Sequence, residues 1–186
     1  KMNGRIKIFR PKRTVRNSAM ELWNIYIFQK DYSQAEVYSE KAYKYNPKNI
    51  WYGLLYANIM NNTGNKKEAI KIYEKLLEDN PENADVIIEL ADFYASDKKS
   101  YKKAIELFDR LENNYGMTEE LFFEKERIYY KYNVKGKIIP EIKKLVDANP
   151  ENTRFLGLYA ERLMNEGMVD ESYDVYLKLF ELDPDN

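Results

Sequence analysis

The sequence of 186 residues contains neither cysteine nor histidine. The chain therefore has no disulfide bond, no zinc site of the cysteine and histidine type, no thiolate nucleophile and no imidazole general base. No run of about 18 apolar residues occurs, so the sequence predicts no membrane span. The 7 glycines are scattered and form no phosphate-binding loop. Carboxylates stand in runs such as Asp170-Glu171 at predicted helix starts, where they stabilise the helix dipole. We therefore expect a protein that is not an enzyme, with no metal site and no cofactor.

Charge is distributed unevenly along the chain. Residues 1–16 contain seven basic residues and no acid, whereas the rest of the chain carries 23 bases against 31 acids. Residues 1–15 are predicted to be a basic lead-in segment that is flexible or loosely docked. The alternative is a basic arm that binds an anionic lipid surface, nucleic acid or the acidic body of the chain itself. Nucleic acid is disfavoured as a partner because no aromatic residues are interleaved with the bases in the manner of a binding fold.

Prolines recur at a nearly constant spacing and divide the chain into units. Pro47, Pro81, Pro150 and Pro184 each follow Asn or Asp, at spacings of 34, 69 and 34 residues, so the middle interval equals two periods and one insertion. A fixed period of this size is typical of solenoid repeats. Apolar residues within each unit follow helical spacing, which predicts two antiparallel helices in each unit, or ten in all. The predicted units are residues 16–49, 50–83, 84–118, 119–152 and 153–186.

Small residues recur at two fixed positions of the units. Small residues occupy the eighth position in three units, at Ala57, Ala91 and Ala160, and the twentieth position in four, at Ala35, Ala69, Ala104 and Ser172. Together with the terminal proline, this pattern resembles the tetratricopeptide repeat (TPR) over residues 16–186. The resemblance implies an all-α TPR α-solenoid, a right-handed superhelix of antiparallel helix pairs. The turns Asn80-Pro81-Glu82-Asn83 and Asp183-Pro184-Asp185-Asn186 are similar to those of TPR proteins of bacterial envelopes. The compartment stays open between a bacterial periplasm or envelope and the cytoplasm.

The fourth unit departs from the repeat pattern. Lys125 stands where the other units have a large apolar residue, and Glu126 and Ile138 replace the two small residues. A carboxylate at this position is costly against apolar neighbours unless it is paired or turned outward. We therefore expect this unit to be the least regular of the five.

The first helices of the units are the predicted binding surface. In TPR proteins, which this sequence resembles, five positions of each first helix line a concave groove that holds an extended segment. Asparagine amides there can hold a peptide backbone, and aromatic side chains can anchor apolar groups. The alternative is that these residues form a solvated face or pack between neighbouring units. Acids at Asp85 and Glu89 stand where the carboxylate-clamp TPRs carry bases, so no clamp is expected. The predicted groove residues are Asn24, Phe28, Trp51, Asn58, Asn61, Asn62, Asp92, Phe123, Arg127, Tyr130 and Glu161.

The second helix of the fifth unit gives a second candidate surface. It carries Tyr173, Val175, Leu179, Phe180 and Leu182, and no polar cap follows it. This helix is therefore a candidate surface for self-association. The predicted function is a non-catalytic interaction module that binds a peptide or protein partner in the groove, within a larger protein or assembly. The alternatives are a homo-oligomerising structural spacer and an accessory domain of a larger catalytic protein.

Overall fold

The computed structural model describes residues 32–182, and within this range it contains nine α-helices and no strand. The predicted lead-in segment of residues 1–15, the predicted first helix of the first unit, Asn24, Phe28 and the last proline turn lie outside the described residues. Most helices have 12–15 residues, and one has 11. They are α1 (Tyr32–Tyr45), α2 (Ile50–Asn62), α3 (Lys66–Asp79), α4 (Ala84–Ala95), α5 (Tyr101–Tyr115), α6 (Glu119–Lys131), α7 (Ile138–Ala148), α8 (Thr153–Asn165) and α9 (Val169–Leu182).

The chain divides into two compact units, residues 1–76 and residues 77–186. The boundary falls inside α3, so α1, α2 and most of α3 belong to the first unit. The second unit contains α4 to α9, in which each helix contacts the next one along the chain.

Asparagine starts three of the helices in the same way. Asn49, Asn83 and Asn152 each lie two residues after a repeat proline, and each precedes the first residue of a helix. Their side-chain oxygens accept hydrogen bonds from Trp51 N at 3.0 Å, from Val86 N at 3.1 Å and from Phe155 N at 3.1 Å. Such N-caps satisfy amide groups that have no partner inside the helix. The proline turn therefore ends one helix pair and its asparagine starts the next.

In the first unit, α2 and α3 approach closely at a glycine. A Cβ atom added to Gly53 would lie 2.7 Å from Cδ2 of Leu76. Ala57 and Ala69, on the same two helices, are fully buried. On the other side of α2, the rings of Tyr43 and Tyr56 lie 5.9 Å apart and join it to α1. Small residues thus let α2 and α3 approach at a distance that larger side chains would prevent.

The second unit repeats the same packing in two of its three helix pairs. Ala91 and Ala104 are fully buried in α4 and α5. In α8 and α9, Ala160 and Ser172 are fully buried, and Ser172 Oγ donates a hydrogen bond to the carbonyl of Ala160 at 2.8 Å. Between α6 and α7 the core is made of large side chains instead, namely Phe122, Tyr129, Ile138, Ile142 and Leu145.

A buried lysine connects α5, α6 and α7. Lys125 is fully buried on α6, and its Nζ lies 2.6 Å from Asp109 Oδ1 and 3.0 Å from Glu141 Oε2, with Glu112 as a third partner. Lys144 of α7 adds a second cation, 3.0 Å from Glu112 Oε1. The charges at this irregular position are therefore compensated by hydrogen-bonded partners, as a buried ion requires.

The same network shifts the pKa values of its members. Burial by itself would lower the pKa of Lys125, but hydrogen bonds to Asp109, Glu112 and Glu141 outweigh it and raise the pKa above its ordinary range. Burial by itself would raise the pKa of Glu112, but hydrogen bonds from Lys125 and Lys144 outweigh it and lower the pKa. Both groups are therefore held in their charged forms at neutral pH.

Glu126, the other irregular residue of α6, is paired across the fold. Its Oε1 accepts a hydrogen bond from Arg162 Nε of α8 at 2.5 Å, and Arg162 Nη1 lies 2.8 Å from Glu161. This hydrogen bond to Glu126 raises the pKa of Arg162. Of the two expected alternatives for Glu126, pairing or an outward orientation, the structure shows pairing, and the pair joins α6 to α8.

The close approach at Gly53 predicts opposite effects for two glycine substitutions. We expect Gly53→Ala to destabilise the protein by about 1 kcal/mol, because overpacking against Leu76 outweighs the gain in helix propensity. The matched control is Gly157→Ala in α8, where the added Cβ lies 3.9 Å from Leu179. This control should raise stability by about 0.5 kcal/mol. Urea unfolding followed by circular dichroism measures both, and equal stabilisation by the two substitutions would contradict the packing described.

The charge network predicts a pH-dependent effect of Lys125→Met. At pH 7 we expect a loss of about 3 kcal/mol, because three carboxylates lose their buried cation. The lowered pKa of Glu112 means that its contribution is complete above the ordinary carboxyl pKa of about 4.3 and is lost as the pH falls through the lower folded value. The deficit of the variant should therefore shrink as the pH falls from 7 towards 3.

Urea unfolding at several pH values measures this deficit. Lys143→Met is the control, because Lys143 is exposed on the neighbouring helix α7 and forms its ion pair with Asp147, four residues on. It should change stability little at any pH. A Lys125→Met variant as stable as the wild type at pH 7 would show that the network does not stabilise the fold.

Candidate protein-binding surfaces

The structure places the described groove residues on four helices. Trp51, Asn58, Asn61 and Asn62 lie on α2 in the first compact unit, and we call them the α2 surface. The second unit carries Asp92 on α4, Phe123, Arg127 and Tyr130 on α6, and Glu161 on α8. Each of these helices is the first member of its pair, as the repeat pattern predicts.

The α2 surface is formed largely by asparagine amides. Asn62 is exposed, Trp51, Asn58 and Asn61 are half-buried, and Asn62 Nδ2 donates a hydrogen bond to Asn58 Oδ1 at 3.2 Å. This bond orients the two amides on one side of α2. The neighbouring Leu54 is buried, so it belongs to the core and not to this surface.

On α6, three groove residues form one continuous side of the helix, which we call the α6 surface. Phe123, Arg127 and Tyr130 are spaced at four and three residues and therefore share a face. All three are exposed, whereas Lys125, on the opposite side of the same helix, is fully buried. The ring of Phe123 packs on the ring of Phe122, with centroids 5.3 Å apart. The buried ions of α6 thus lie on its inward side, together with Phe122 and Ile128.

Arg127 is held in place by two carboxylates. Its Nη2 lies 3.1 Å from Asp92 Oδ1 of α4 and 2.5 Å from Glu124 Oε2, and its Nε donates to the same Glu124 oxygen at 2.9 Å. A planar guanidinium bound by two partners has a defined orientation. Glu161, exposed on α8, is bound by Arg162, which also pairs with Glu126. Four carboxylates therefore accompany two guanidinium groups around the α6 surface, and acids are in excess.

A small open cavity lies beside the α6 surface. Its volume is about 260 Å³, and Tyr130 contributes to both its wall and the α6 surface. This volume is below the range usual for small-molecule sites and suits one or two inserted side chains. The cavity is lined by Tyr129, Tyr130, Asn133, Val134, Lys135, Ile138, Asn165 and Glu166.

Sequence reasoning missed the contacts that connect α6 to the end of α4. Lys131 Nζ and Tyr132 OH donate hydrogen bonds to the carbonyl of Ala95 at 2.8 and 2.7 Å. The Tyr132 ring also stacks on Tyr101, with centroids 4.7 Å apart. These side chains satisfy a carbonyl at a helix C-terminus, where no amide of the helix is available. A basic residue in the last turn of α6 was visible in the sequence, but it gave no indication of a partner on another helix.

The described residues show no metal-binding or membrane-spanning feature. Residues 32–182 hold no group of three or more acidic side chains placed to bind a metal ion. Across the same residues, every helix is too short or too polar to cross a lipid bilayer.

Paired antiparallel helices, small residues at the helix contacts and side chains of the first helices exposed on one side define a helical-repeat interaction fold. Comparison with known proteins agrees. One tetratricopeptide-repeat family model matches residues 64–120, and a second matches residues 24–49. The chain is a tetratricopeptide-repeat protein with an all-α TPR solenoid fold. TPR folds are typically non-catalytic and serve protein–protein interaction.

Solved structures with this fold are similar over most of the chain. A MamA structure has 17% sequence identity and a TM-score of 0.61, covering 92% of this chain and 97% of that one. MamA from Desulfovibrio magneticus RS-1 has 15% identity and a TM-score of 0.58, with coverages of 91% and 98%. YrrB, described as a TPR protein with an unusual peptide-binding site, has 23% identity and a TM-score of 0.51, with coverages of 78% and 75%. A search of curated protein sequences found no significant match.

The ion pair between α4 and α6 predicts a small, salt-sensitive coupling. In a double-mutant cycle of Asp92→Asn and Arg127→Gln, we expect a coupling free energy of about 0.5 kcal/mol at low salt, because both side chains are about half exposed. The coupling should fall towards zero in 1 M NaCl, where the Debye length is about 3 Å. Thermal unfolding of the four proteins measures it. A coupling that is unchanged by salt would mean that the two residues interact through packing and not through charge.

Proposed function

We propose that the chain is a non-catalytic module that binds an extended peptide or a protein segment on the first helices of its repeats, within a larger protein or assembly. The observation that carries this proposal is the α6 surface, where exposed Phe123 and Tyr130 stand on either side of the oriented Arg127. The chain lacks histidine and cysteine, which supports a role in binding and not in catalysis.

The aromatic residues of the α6 surface supply the apolar contacts of the proposed site. Phe123 is already packed on Phe122, and Tyr130 forms part of a cavity that has room for a side chain. Rings that are oriented before binding lose little conformational entropy when a partner covers them. Exposed aromatic residues that meet these conditions are the usual energetic centres of protein interfaces.

Charge restricts the kind of peptide that fits. Asp92 and Glu124 neutralise Arg127 directly, and Glu161 shares Arg162 with Glu126. The carboxylates around the α6 surface therefore outnumber the guanidinium groups by four to two. An acidic segment would be repelled, whereas a segment with apolar side chains and Lys or Arg residues would be attracted. We propose a basic or neutral partner segment and no clamp for a terminal carboxylate.

The α2 surface is a separate candidate in the first compact unit. Its oriented amides suit contacts with the backbone of a peptide, which require no particular side chain. The description of YrrB as a TPR protein with an unusual peptide-binding site supports a peptide as the class of ligand. Trp51, half-buried at the start of α2, would supply an apolar contact beside the amides.

Two other functions predicted from the sequence stay open as proposals. An accessory role beside a catalytic partner uses the same binding surfaces and differs only in the partner. A self-associating spacer would use α9, and the exposed apolar side chains of this helix favour a contact there.

Selection of peptides tests the proposed site. We expect a phage-displayed library of short random peptides, panned on the protein, to yield peptides that combine apolar residues with Lys or Arg. Selected peptides should bind Phe123→Ala and Tyr130→Ala about tenfold more weakly, because each change removes an exposed anchor. Fluorescence anisotropy measures the affinity, and the melting temperatures should be unchanged.

The control is Tyr45→Ala, which removes an exposed aromatic residue at the end of α1. Trp51→Ala and Asn58→Ala test the α2 surface in the same assay. If these two substitutions lower the melting temperature instead of the affinity, the α2 surface is structural. Enrichment of acidic peptides, or affinities that no variant changes, would contradict the proposed function.

A further inference from the structure

The last helix of the structure, α9, exposes a continuous apolar stripe. Val169, Tyr173, Tyr176, Leu177 and Phe180 recur at helical spacing and are all exposed; Phe180, the most exposed, has 64% of its surface accessible. On another side of the same helix, Ser172 is fully buried and bonded to α8. The helix therefore has one side that packs on α8 and a second, apolar side that is exposed. We define this exposed side as the α9 stripe.

Equivalent positions in the preceding repeats show what covers such a stripe. Phe108 of α5, Ile142 of α7 and Tyr176 of α9 occupy the same place in successive repeats, and their exposed fractions are 1%, 0% and 42%. The first helix of the following repeat covers α5 and α7, since α6 packs on α5 and α8 packs on α7. In two internal examples, then, an α-helix lies across this face.

The chemistry of the α9 stripe differs from that of the covered face of α5. Leu177 and Phe180 stand 68 residues after Asp109 and Glu112, the two acids of α5 that bind the buried Lys125 of α6. On α9 the corresponding positions are apolar. A helix that covers the stripe therefore needs apolar side chains at its centre, since a buried lysine would have no carboxylate to meet it.

A row of acids borders the stripe on one side. Asp170, Asp174 and Glu181 are spaced at four and seven residues and so lie along the same side of α9. Within residues 32–182 no basic side chain comes within ion-pair distance of these three carboxylates. Two antiparallel copies of α9, related by a two-fold axis, would place this row against its own copy. Like charges disfavour such a pairing, whereas Lys or Arg on the flank of a different helix would match the row.

We propose that the α9 stripe binds an amphipathic α-helix of a partner protein, with the apolar face of that helix on Tyr173, Leu177 and Phe180. Basic residues on the flank of the partner helix face Asp170, Asp174 and Glu181. The partner helix lies on α9 as α6 lies on α5, with charge at the border of the contact instead of at its centre. This surface lies on a different helix from the peptide surfaces proposed above, and it is tested separately.

A pair of synthetic helices tests the proposal. Two labelled peptides of about 18 residues, long enough to be partly helical in water, share the same Leu and Ala face. One carries Lys at the remaining positions and the other carries Glu. We expect the Lys peptide to bind the wild-type protein at least about tenfold more tightly than the Glu peptide, since three exposed ion pairs act together. Circular dichroism confirms that the peptides have equal helicity, and fluorescence anisotropy measures binding.

Three variants separate the stripe from general charge attraction. Leu177→Ser/Phe180→Ser keeps all charges and should weaken binding of the Lys peptide by about tenfold, because exposed apolar contacts are lost. Asp170→Lys/Asp174→Lys/Glu181→Lys should reverse the preference towards the Glu peptide. Val37→Ser, which changes an exposed apolar residue of α1, is the control and should change nothing. All of these side chains are exposed, so the melting temperatures should stay close to that of the wild type.

Analytical ultracentrifugation of the same proteins tests the rival occupant. A concentration-dependent dimer of the wild type that Leu177→Ser/Phe180→Ser abolishes would identify a second copy as the occupant and overturn the proposal. Equal affinity for the two peptides, or full binding of the Lys peptide by Leu177→Ser/Phe180→Ser, would also overturn it. A monomeric wild type with the expected preference and its loss in the variants would support it.

Discussion

The close approach of paired helices depends on small residues where the helices meet. Alanine is fully buried at Ala57 and Ala69 in the first compact unit and at Ala91 and Ala104 in the second. At Gly53 even one additional carbon would lie 2.7 Å from Leu76. Since these pairs pack through small residues, one side of their first helices is used for the fold and the other stays available. The residues proposed for binding lie on that remaining side.

In α6, charged residues instead of small ones stand where the helix packs on its neighbours. Its contact positions carry Lys125 and Glu126, and the structure compensates both with charged partners on α5, α7 and α8. Buried ions add little net stability compared with apolar residues, but their hydrogen bonds are directional. They lie on the inward side of α6, and Phe123, Arg127 and Tyr130 face outward. The repeat that departs most from the pattern is thus the one that carries the α6 surface.

The two proposed binding modes correspond to two kinds of exposed surface. The first helices present oriented polar groups between aromatic rings, which suits an extended segment. The last helix presents a stripe of apolar side chains beside a row of acids, which suits a second helix. The difference arises from position in the array. The first helix of a repeat leaves one side exposed. The second helix packs on two sides, as α5 and α7 do, whereas α9 packs only on α8 within the described residues.

Several helix starts and the positions of the candidate residues on α6 were predictable from the sequence, because they depend on residues close together in the chain. The helix starts at Ile50, Ala84 and Thr153 follow from the proline turns and their asparagine caps, which act over three residues. The positions of Phe123, Arg127 and Tyr130 on one side of a helix follow from the period of 3.6 residues. Their binding role stays a prediction. The burial of Leu54, three residues after Trp51 on α2, was not determined by periodicity, because a single helix does not show which neighbours cover it.

The sequence by itself determined the helices, their pairing and the side of each helix that meets its partner, because these depend on spacing along one chain segment. Tertiary structure alone decided where the charges of the fourth repeat are compensated. Lys125 forms ion pairs with Asp109 and Glu141, which lie 16 residues before and after it in the chain. Glu126 pairs with Arg162, 36 residues away. The side chains of Lys131 and Tyr132 likewise reach a carbonyl on α4. Such contacts require several helices to be in place at once, and for that reason no local pattern encodes them.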